Sequence, residues 1–374
     1  MILLVVGAAA PALALDRKGL AAIVEKTRAE TGSPALGALV WRSGKTMQAV
    51  SGVRIAGRPE KIQPNDAWHI GSNGKAMTAT LVARDVDAGR VSFDTPLAVI
   101  FPDLRPKMAA GWEAVTLRQL LSHTAGVQDP EDWVIFDAGR ATTADMRERR
   151  RIVLERILAL KLAKEPGTAT AYSNLGLFVA GAAAEKIGSA SWEERLEREV
   201  FVPLKLTTAG YGAPGVSGSA RAPRGHALGK DLGRIPVDPR LEAVYTPPEI
   251  GPAGDVHISL GDWLRFALLH LEGAKGVGRD GYLSAATLAE LYKHPPGSDA
   301  AGLGWSVRIG PDGKVERLAH NGSNDYWYAL IRIYPKTDTV ILVVANDAQA
   351  PGSKAVNSVN DQLEALLKAE DEKR

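Results

Sequence analysis

The sequence predicts an α/β (α+β) fold: one antiparallel sheet built from both ends of the chain and flanked by helices, with a mostly helical domain inserted between the halves. Three observations predict it. Strand-period segments occur early, as ALGALVWR and KTMQAVSGV, and again after Gly302, as LGWSVRI, VERLAH, YWYALIRIY and TVILVVA. Between them, from about Thr95 to Glu272, apolar residues recur at helical spacing. Amphipathic helical patterns also lie outside both strand groups. A sheet shared by the termini and covered by the terminal helices is the economical arrangement of these parts.

The elements follow in order. Residues 1–14 belong to the apolar, uncharged run MILLVVGAAAPALALD, which stops at Asp16 with Ala12-Leu13-Ala14 as a small-x-small cleavage signal. They read as a signal peptide, although the usual positive segment is missing. The run is shorter than the roughly 20 apolar residues a membrane span needs, so the mature chain is expected to be exported, periplasmic or secreted, with no stable membrane insertion. Leu20, Ile23, Val24 and Thr27 then mark a first helix, and two strands joined at Ser43-Gly44 form a hairpin. The stretch HIGSNGKAMTATLVARDVDAGR follows, with Met77, Leu81, Val82 and Val86 as a helical stripe.

The insertion, placed at 95–272, contains VTLRQLLSH, RRRIVLERILAL, SNLGLFVAGAAAEKIG, SWEERLEREVFV and SLGDWLRFALLHLEG, each near a helical period. Leu206 to Gly254 is rich in Gly and Pro without a period, so loops with short strands are expected there. The sheet domain takes 15–94 and 273–374. Pro311-Asp312-Gly313 and PKTD are its turns, and Val356, Val359, Leu363, Leu366 and Leu367 define a closing helix.

Composition excludes several functions. Of 374 residues 24% are charged and the net charge is +2, which is no polyelectrolyte signature, so nucleic acid is not an implied partner. The absence of cysteine removes disulfides, a thiol nucleophile and iron-sulfur ligation. No His-x-x-x-His pair occurs, and His69, His226, His257, His270 and His294 read as structural or exposed, so no metal and no cofactor are expected. GVGRDG at Gly276 to Gly281 follows a helix rather than a strand, and reads as a loop rather than a dinucleotide site. No Gly-x-Ser-x-Gly elbow is present, which argues against an α/β-hydrolase. Arg147 and Arg149 to Arg151 read as a solvated helix face, which an anionic polymer such as cell wall could meet.

Chemistry enters through three short motifs. Ser72 and Lys75 stand three apart where a helix begins, so one turn brings an amine to a hydroxyl that needs a base to become a nucleophile. Tyr172 and Asn174, in AYSNLG, offer a phenol and an amide just before another helix. His320-Asn321-Gly322, in AHNGSNDYWY, ends a strand, where glycine lets a substrate backbone approach. Each has a plain structural reading alone: a helix N-cap, a tyrosine packed on a helix start, a turn. In this order they are much less expected by accident.

Together they resemble the serine beta-lactamase and penicillin-binding superfamily, in its class C-like branch, which also holds D-alanyl-D-alanine carboxypeptidases, D-aminopeptidases and family VIII-type esterases. IGSNGKAMTATL, VSFDTPLAVIFPDL, VTLRQLLSHTAGV, PGTATAYSN, GPAGDVHISLGDWLRFA, GLGW, HNG and VVAND look like that family's landmarks in family order. The resemblance implies that Ser72 is the acylated nucleophile and that Lys75 is its base or deprotonates Tyr172. Tyr172 returns the proton to the leaving group, and Asn174 binds a substrate amide. The backbone N–H groups of Ser72 and Ser323 form the oxyanion hole. His320, Asn321 and Gly322 line the strand along which substrate lies, and His123 orders a loop nearby. The implied partner is a small-molecule or peptide substrate, cell-wall fragments included: a small ester, a D-amino-acid peptide or a beta-lactam-like compound, hydrolysed through an acyl-enzyme. The alternative is a penicillin-binding protein that acylates but turns over poorly.

Three departures from the family pattern carry expectations. Gly74 replaces a bulkier residue and is expected to widen the site. Asn321 puts an amide where a hydroxyl is common. His320 replaces a permanently charged lysine, so a carboxylate anchor would be lost across roughly pH 6 to 7 near an ordinary histidine pKa.

Overall fold

The computed structural model describes residues 15–131, 133–215, 222–231 and 233–373, so the signal-peptide reading of 1–14 lies outside the described residues. Six strands form the main sheet: β1 (Ala35–Arg42), β2 (Lys45–Gly52), β3 (Ser306–Ile309), β4 (Val315–Ser323), β5 (Tyr328–Tyr334) and β6 (Thr339–Ala345). Their order is β2-β1-β6-β5-β4-β3, with every neighbouring pair antiparallel. The N-terminal hairpin pairs along the last strand, Leu36 opposite Ala345 and Arg42 opposite Thr339. Its turn places Ser43 at φ 47° and Gly44 at φ 84°. Two positive-φ residues match the twist of the strands they join.

Strand alternation divides the core in two. Leu36, Ala38, Val40, Leu330, Ile341 and Val343 face the terminal helices Arg17–Thr31 and Ala350–Asp371, where Leu20, Ile23, Val24, Val356, Val359 and Leu363 meet them. Leu39, Ala329, Ile331, Ile333, Leu342 and Val344 point the other way and join the larger core shared with the helical block. Each such leucine, isoleucine or valine, fully buried, contributes about 1.5–3 kcal/mol, which sets the register of every strand.

The helix Leu260–Ala274 packs on this second face: a Cβ at Gly37 would come within 3.3 Å of the Leu260 side chain. The sequence groups that helix with the insertion, whereas its apolar side lies on the sheet. Inside the block, Asn174–Gly188 has Leu175 through Ala184 all buried, as befits a helix apolar on every side. The region 206–254 does consist of short pieces, including strands Gly210–Tyr211, His226–Leu228 and Arg234–Pro236.

One member of the arginine run, Arg150, departs from the expectation of a solvated face, while Arg147 is exposed and Arg149 and Arg151 are partly so. Arg150 is fully buried and donates to Glu185 Oε1 at 2.6 Å and to both carboxylate oxygens of Glu193 at 2.5 and 2.9 Å. The cause is visible in the helix Met146–Leu158, where Arg150 shares its face with Val153, Leu154 and Ile157. Among the described residues, no helix is long and apolar enough to cross a membrane.

Candidate active site

Ser72 lies on a single 3-10 turn, Gly71–Asn73, that leads into the helix Gly74–Asp87. Three neighbours and one of its own residues, Asn73, hold this turn in place. His69 Nδ1 accepts the Gly71 N–H at 3.2 Å, while the other ring nitrogen meets Asp255 Oδ1 at 3.1 Å. Asn73 Nδ2 donates to the Ile70 carbonyl at 2.6 Å and to that of Ala329, on β5, at 3.3 Å. Gly322 and Gly254 close on it from two sides. A Cβ at Gly322 would lie 2.0 Å from the Ile70 carbonyl oxygen and 2.8 Å from Ser72 N, and one at Gly254, which has φ 153°, 2.9 Å from Ser72 N. Gly322 was expected to admit a substrate backbone; the backbone it admits is the turn that carries Ser72. Gly74 likewise does not open the site, since its Cβ position is filled to 3.3 Å by Gly254 Cα.

One helical turn on, Lys75 is wholly buried. Its Nζ lies 2.9 Å from Ser72 Oγ and donates to Asn174 Oδ1 at 2.8 Å and to the Ala253 carbonyl at 2.5 Å. Burial pushes its pKa down to about 7, against an opposing pull from the Asp129 carboxylate. Two of the three partners can only accept, so they take the two N–H bonds of the neutral amine, and its lone pair is left to face Ser72 Oγ.

Tyr172 arrives from the insertion and donates its hydroxyl to Ser72 Oγ at 2.7 Å. Its side chain is half exposed, yet packing around the phenol pushes its pKa up to about 12, so it is protonated at neutral pH. The His123 ring stacks on it with centroids 4.5 Å apart, and His123 Nδ1 accepts the Ser173 N–H at 3.1 Å. Burial, with Lys75 and His320 adding to it, holds this imidazole neutral with a pKa of about 3. His123 thus touches the Tyr172 loop through both its ring and a backbone hydrogen bond.

Sequence reasoning missed Asp129. Its carboxylate accepts from Ser173 Oγ at 2.8 Å, from the backbone N–H groups of Asn174 and Leu175 at 2.9 and 3.0 Å, and from Asn174 Nδ2 at 2.9 Å. An anion at a helix N-terminus is stabilised by those free donors. By taking the amide nitrogen of Asn174, Asp129 turns its oxygen towards Lys75. Asp129-Pro130 reads as a turn in sequence, and only the unmet donors of the facing helix start could have pointed to it.

The third motif is only partly at the site. His320 pairs with Ile331 and Gly322 with Ala329, so both lie on the Ser72 face of β4. Asn321 pairs with Leu330 and Ser323 with Tyr328, which turns their side chains to the opposite face. What Ser323 offers is its backbone, with its amide nitrogen 2.3 Å from where a Cβ on Gly71 would sit. His320 contacts its neighbour's carbonyl, Nδ1 to Asn321 O at 2.6 Å. Packing around the ring, then the nearby Lys75 and Arg332, pushes its pKa down to about 4, so the expected titration at pH 6 to 7 is displaced well into acid.

Ser72, Asn174, Gly254 and Ser323 open on a cleft of about 180 Å³ that continues over Trp133 and Asp325. Among the described residues, no group of three or more His, Cys, Asp or Glu side chains is arranged to hold a metal ion.

A serine touched by a buried low-pKa lysine and a phenol, beside a helical insertion on an antiparallel sheet, defines a serine hydrolase of the acyl-enzyme type. The chain belongs to the Beta-lactamase family, whose model matches residues 20–366. It is 28% identical over 352 residues to Penicillin-binding protein 4 of Amycolatopsis lactamdurans, spanning 91% of this chain and 86% of that protein. In fold it is similar to SurE, with a TM-score of 0.77 at 24% identity over 94% of this chain and 76% of the other. It is also similar to a class C beta-lactamase of Rhodobacter sphaeroides, with a TM-score of 0.69 at 20% identity over 92% and 99%.

Proposed function

We propose that the protein hydrolyses an ester or amide through an acyl-enzyme on Ser72, with Lys75 as base and Tyr172 as proton donor. The observation that carries this reading is the shared contact of Lys75 Nζ and Tyr172 Oη with one Ser72 oxygen, at 2.9 and 2.7 Å. A lysine of pKa about 7 accepts a proton at neutral pH, whereas a phenol near 12 gives one, which supports assigning the two roles this way round. As the Oγ–C bond forms, Lys75 takes the serine proton. As the bond to the leaving oxygen or nitrogen breaks, Tyr172 protonates it, and the Lys75 ammonium restores the phenol. Negative charge on the former carbonyl oxygen is met by the Ser72 and Ser323 amides. Water then cleaves the acyl-enzyme by the reverse proton path.

The class of substrate is a small ester, a D-amino-acid peptide or a beta-lactam. His320 and Asn321 supply no cation, so efficient action on carboxylate-bearing beta-lactams is disfavoured. A second reading, a protein that acylates with beta-lactams and hardly turns over, is favoured by the likeness to Penicillin-binding protein 4. A panel of p-nitrophenyl esters, D-alanyl peptides and a chromogenic cephalosporin separates them: sustained turnover supports the hydrolase, and a single burst supports the binding protein. Ser72→Ala should abolish labelling by a fluorophosphonate or penicillin probe, and undiminished labelling would remove Ser72 from the mechanism. Export belongs to the same proposal, and fractionation of the producing cells tests it.

A further inference from the structure

The cleft beside Ser72 has a mixed lining, which includes the apolar Trp133, Pro247 and Ile250 and the polar Ser323, Asn324 and Asp325. Tyr172 and His320 are not among its lining residues. Because Tyr172 protonates the departing atom, the leaving group belongs on the Tyr172 side of Ser72, and this cleft on the Ser323 side receives the acyl portion.

Asp325 is the only ionisable residue among the described residues that line it. Its backbone is held in the left-handed region at φ 71°, with its N–H donated to Ser323 Oγ at 3.0 Å. The turn around it is anchored from below: Asn324 Oδ1 accepts the N–H groups of Tyr326 and Trp327 at 3.2 and 3.1 Å, and Asn324 Nδ2 and Trp327 Nε1 both donate to Glu242 Oε2 at 3.0 Å. The Asp325 carboxylate itself has no hydrogen bond or ion pair with any described residue. A fixed turn thus brings an unpaired anion to the lining of the acyl cleft, which also includes the indole of Trp133, and both groups favour cations.

We propose that this cleft selects acyl groups with an apolar body and a cationic head, such as the ammonium of an aminoacyl residue, and that Asp325 sets this specificity. The proposal rests on Ser72 being the acylated nucleophile. It is tested with three p-nitrophenyl esters that share a leaving group, their acyl chains ending in trimethylammonium, in its neutral tert-butyl isostere, or in a carboxylate. The wild type should prefer the cationic over the neutral ester by about fivefold in kcat/KM at low salt, with the anionic ester last. Asp325→Asn, in which asparagine tolerates the left-handed backbone, should bring the cationic-to-neutral ratio to about one, and Asp325→Lys should favour the carboxylate ester. A wild-type ratio at or below one, or a ratio that neither substitution moves, overturns the assignment. Turnover lost in Ser72→Ala but indifferent to acyl charge would sink this inference alone, whereas turnover that survives Ser72→Ala, or that is absent for all three esters in the wild type, sinks the reading beneath it.

Discussion

Lys75 Nζ donates to Asn174 Oδ1 across 2.8 Å, joining the helix that follows Ser72 to the first residue of a helix 99 positions later. Asp129 fixes the other end of that amide at 2.9 Å, so Lys75 is oriented by a neutral group and biased by an anion one step behind it. Under the proposed mechanism this serves as a base-and-orienter arrangement, built from lysine, asparagine and aspartate.

The pH profile should report Lys75. Its amine must be neutral to take the serine proton, so kcat/KM should rise through about pH 7 and fall about tenfold per unit below it. Asp129→Asn removes the charge that favours the ammonium, so the acid limb should move to lower pH while the plateau drops. A limb left in place would disconnect Asp129 from Lys75.

Tyr172→Phe keeps the ring stacked on His123 and deletes only the hydroxyl. Turnover should fall by about 100-fold or more, with the thermal midpoint little changed. A wild-type rate would take the phenol out of the proton path.

His320 should stay neutral across the working range, because its pKa is pushed down to about 4. The ratio of kcat/KM for carboxylate and neutral substrates should therefore be flat from about pH 6 to 8, in contrast to an unperturbed histidine. His320→Lys would set a second cation close to Lys75, and the acid limb of the profile should then shift below that of wild type. Stopped assays across a pH series read both effects.

Gly322→Ala should damage the site from outside the chemistry. The added methyl meets the Ile70 carbonyl and the Ser72 amide, so the turn must move, at a cost of about 1–3 kcal/mol and with most of the activity lost. Gly261→Ala, whose Cβ meets nothing within 4 Å, is the matched control and should be neutral or stabilising by up to about 1 kcal/mol. Thermal melts and ester turnover on the two variants make the comparison.

The strands and most helices could be read from the sequence because their periods, 2 and 3.6, are local consequences of backbone geometry, and here each period matches the face that became buried. Ser72, Lys75, Tyr172 and Asn174 could be named because their spacing within each motif is also local and the order of the motifs resembles a family. Tertiary structure decided the rest. Asp129 and the Ala253 carbonyl come from segments without a period, and nothing near them in sequence reveals the helix start or amine they serve. Arg150 turned inward because two glutamates from other helices wait there. The facing of Asn321 away from Ser72 follows from its pairing with Leu330, a register that only the assembled sheet supplies. Above all, the ionisation of the site was a tertiary matter: a lysine near 7 is produced by burial and a histidine near 4 by burial and the nearby Lys75 and Arg332, and neither quantity is written in the identity of a residue.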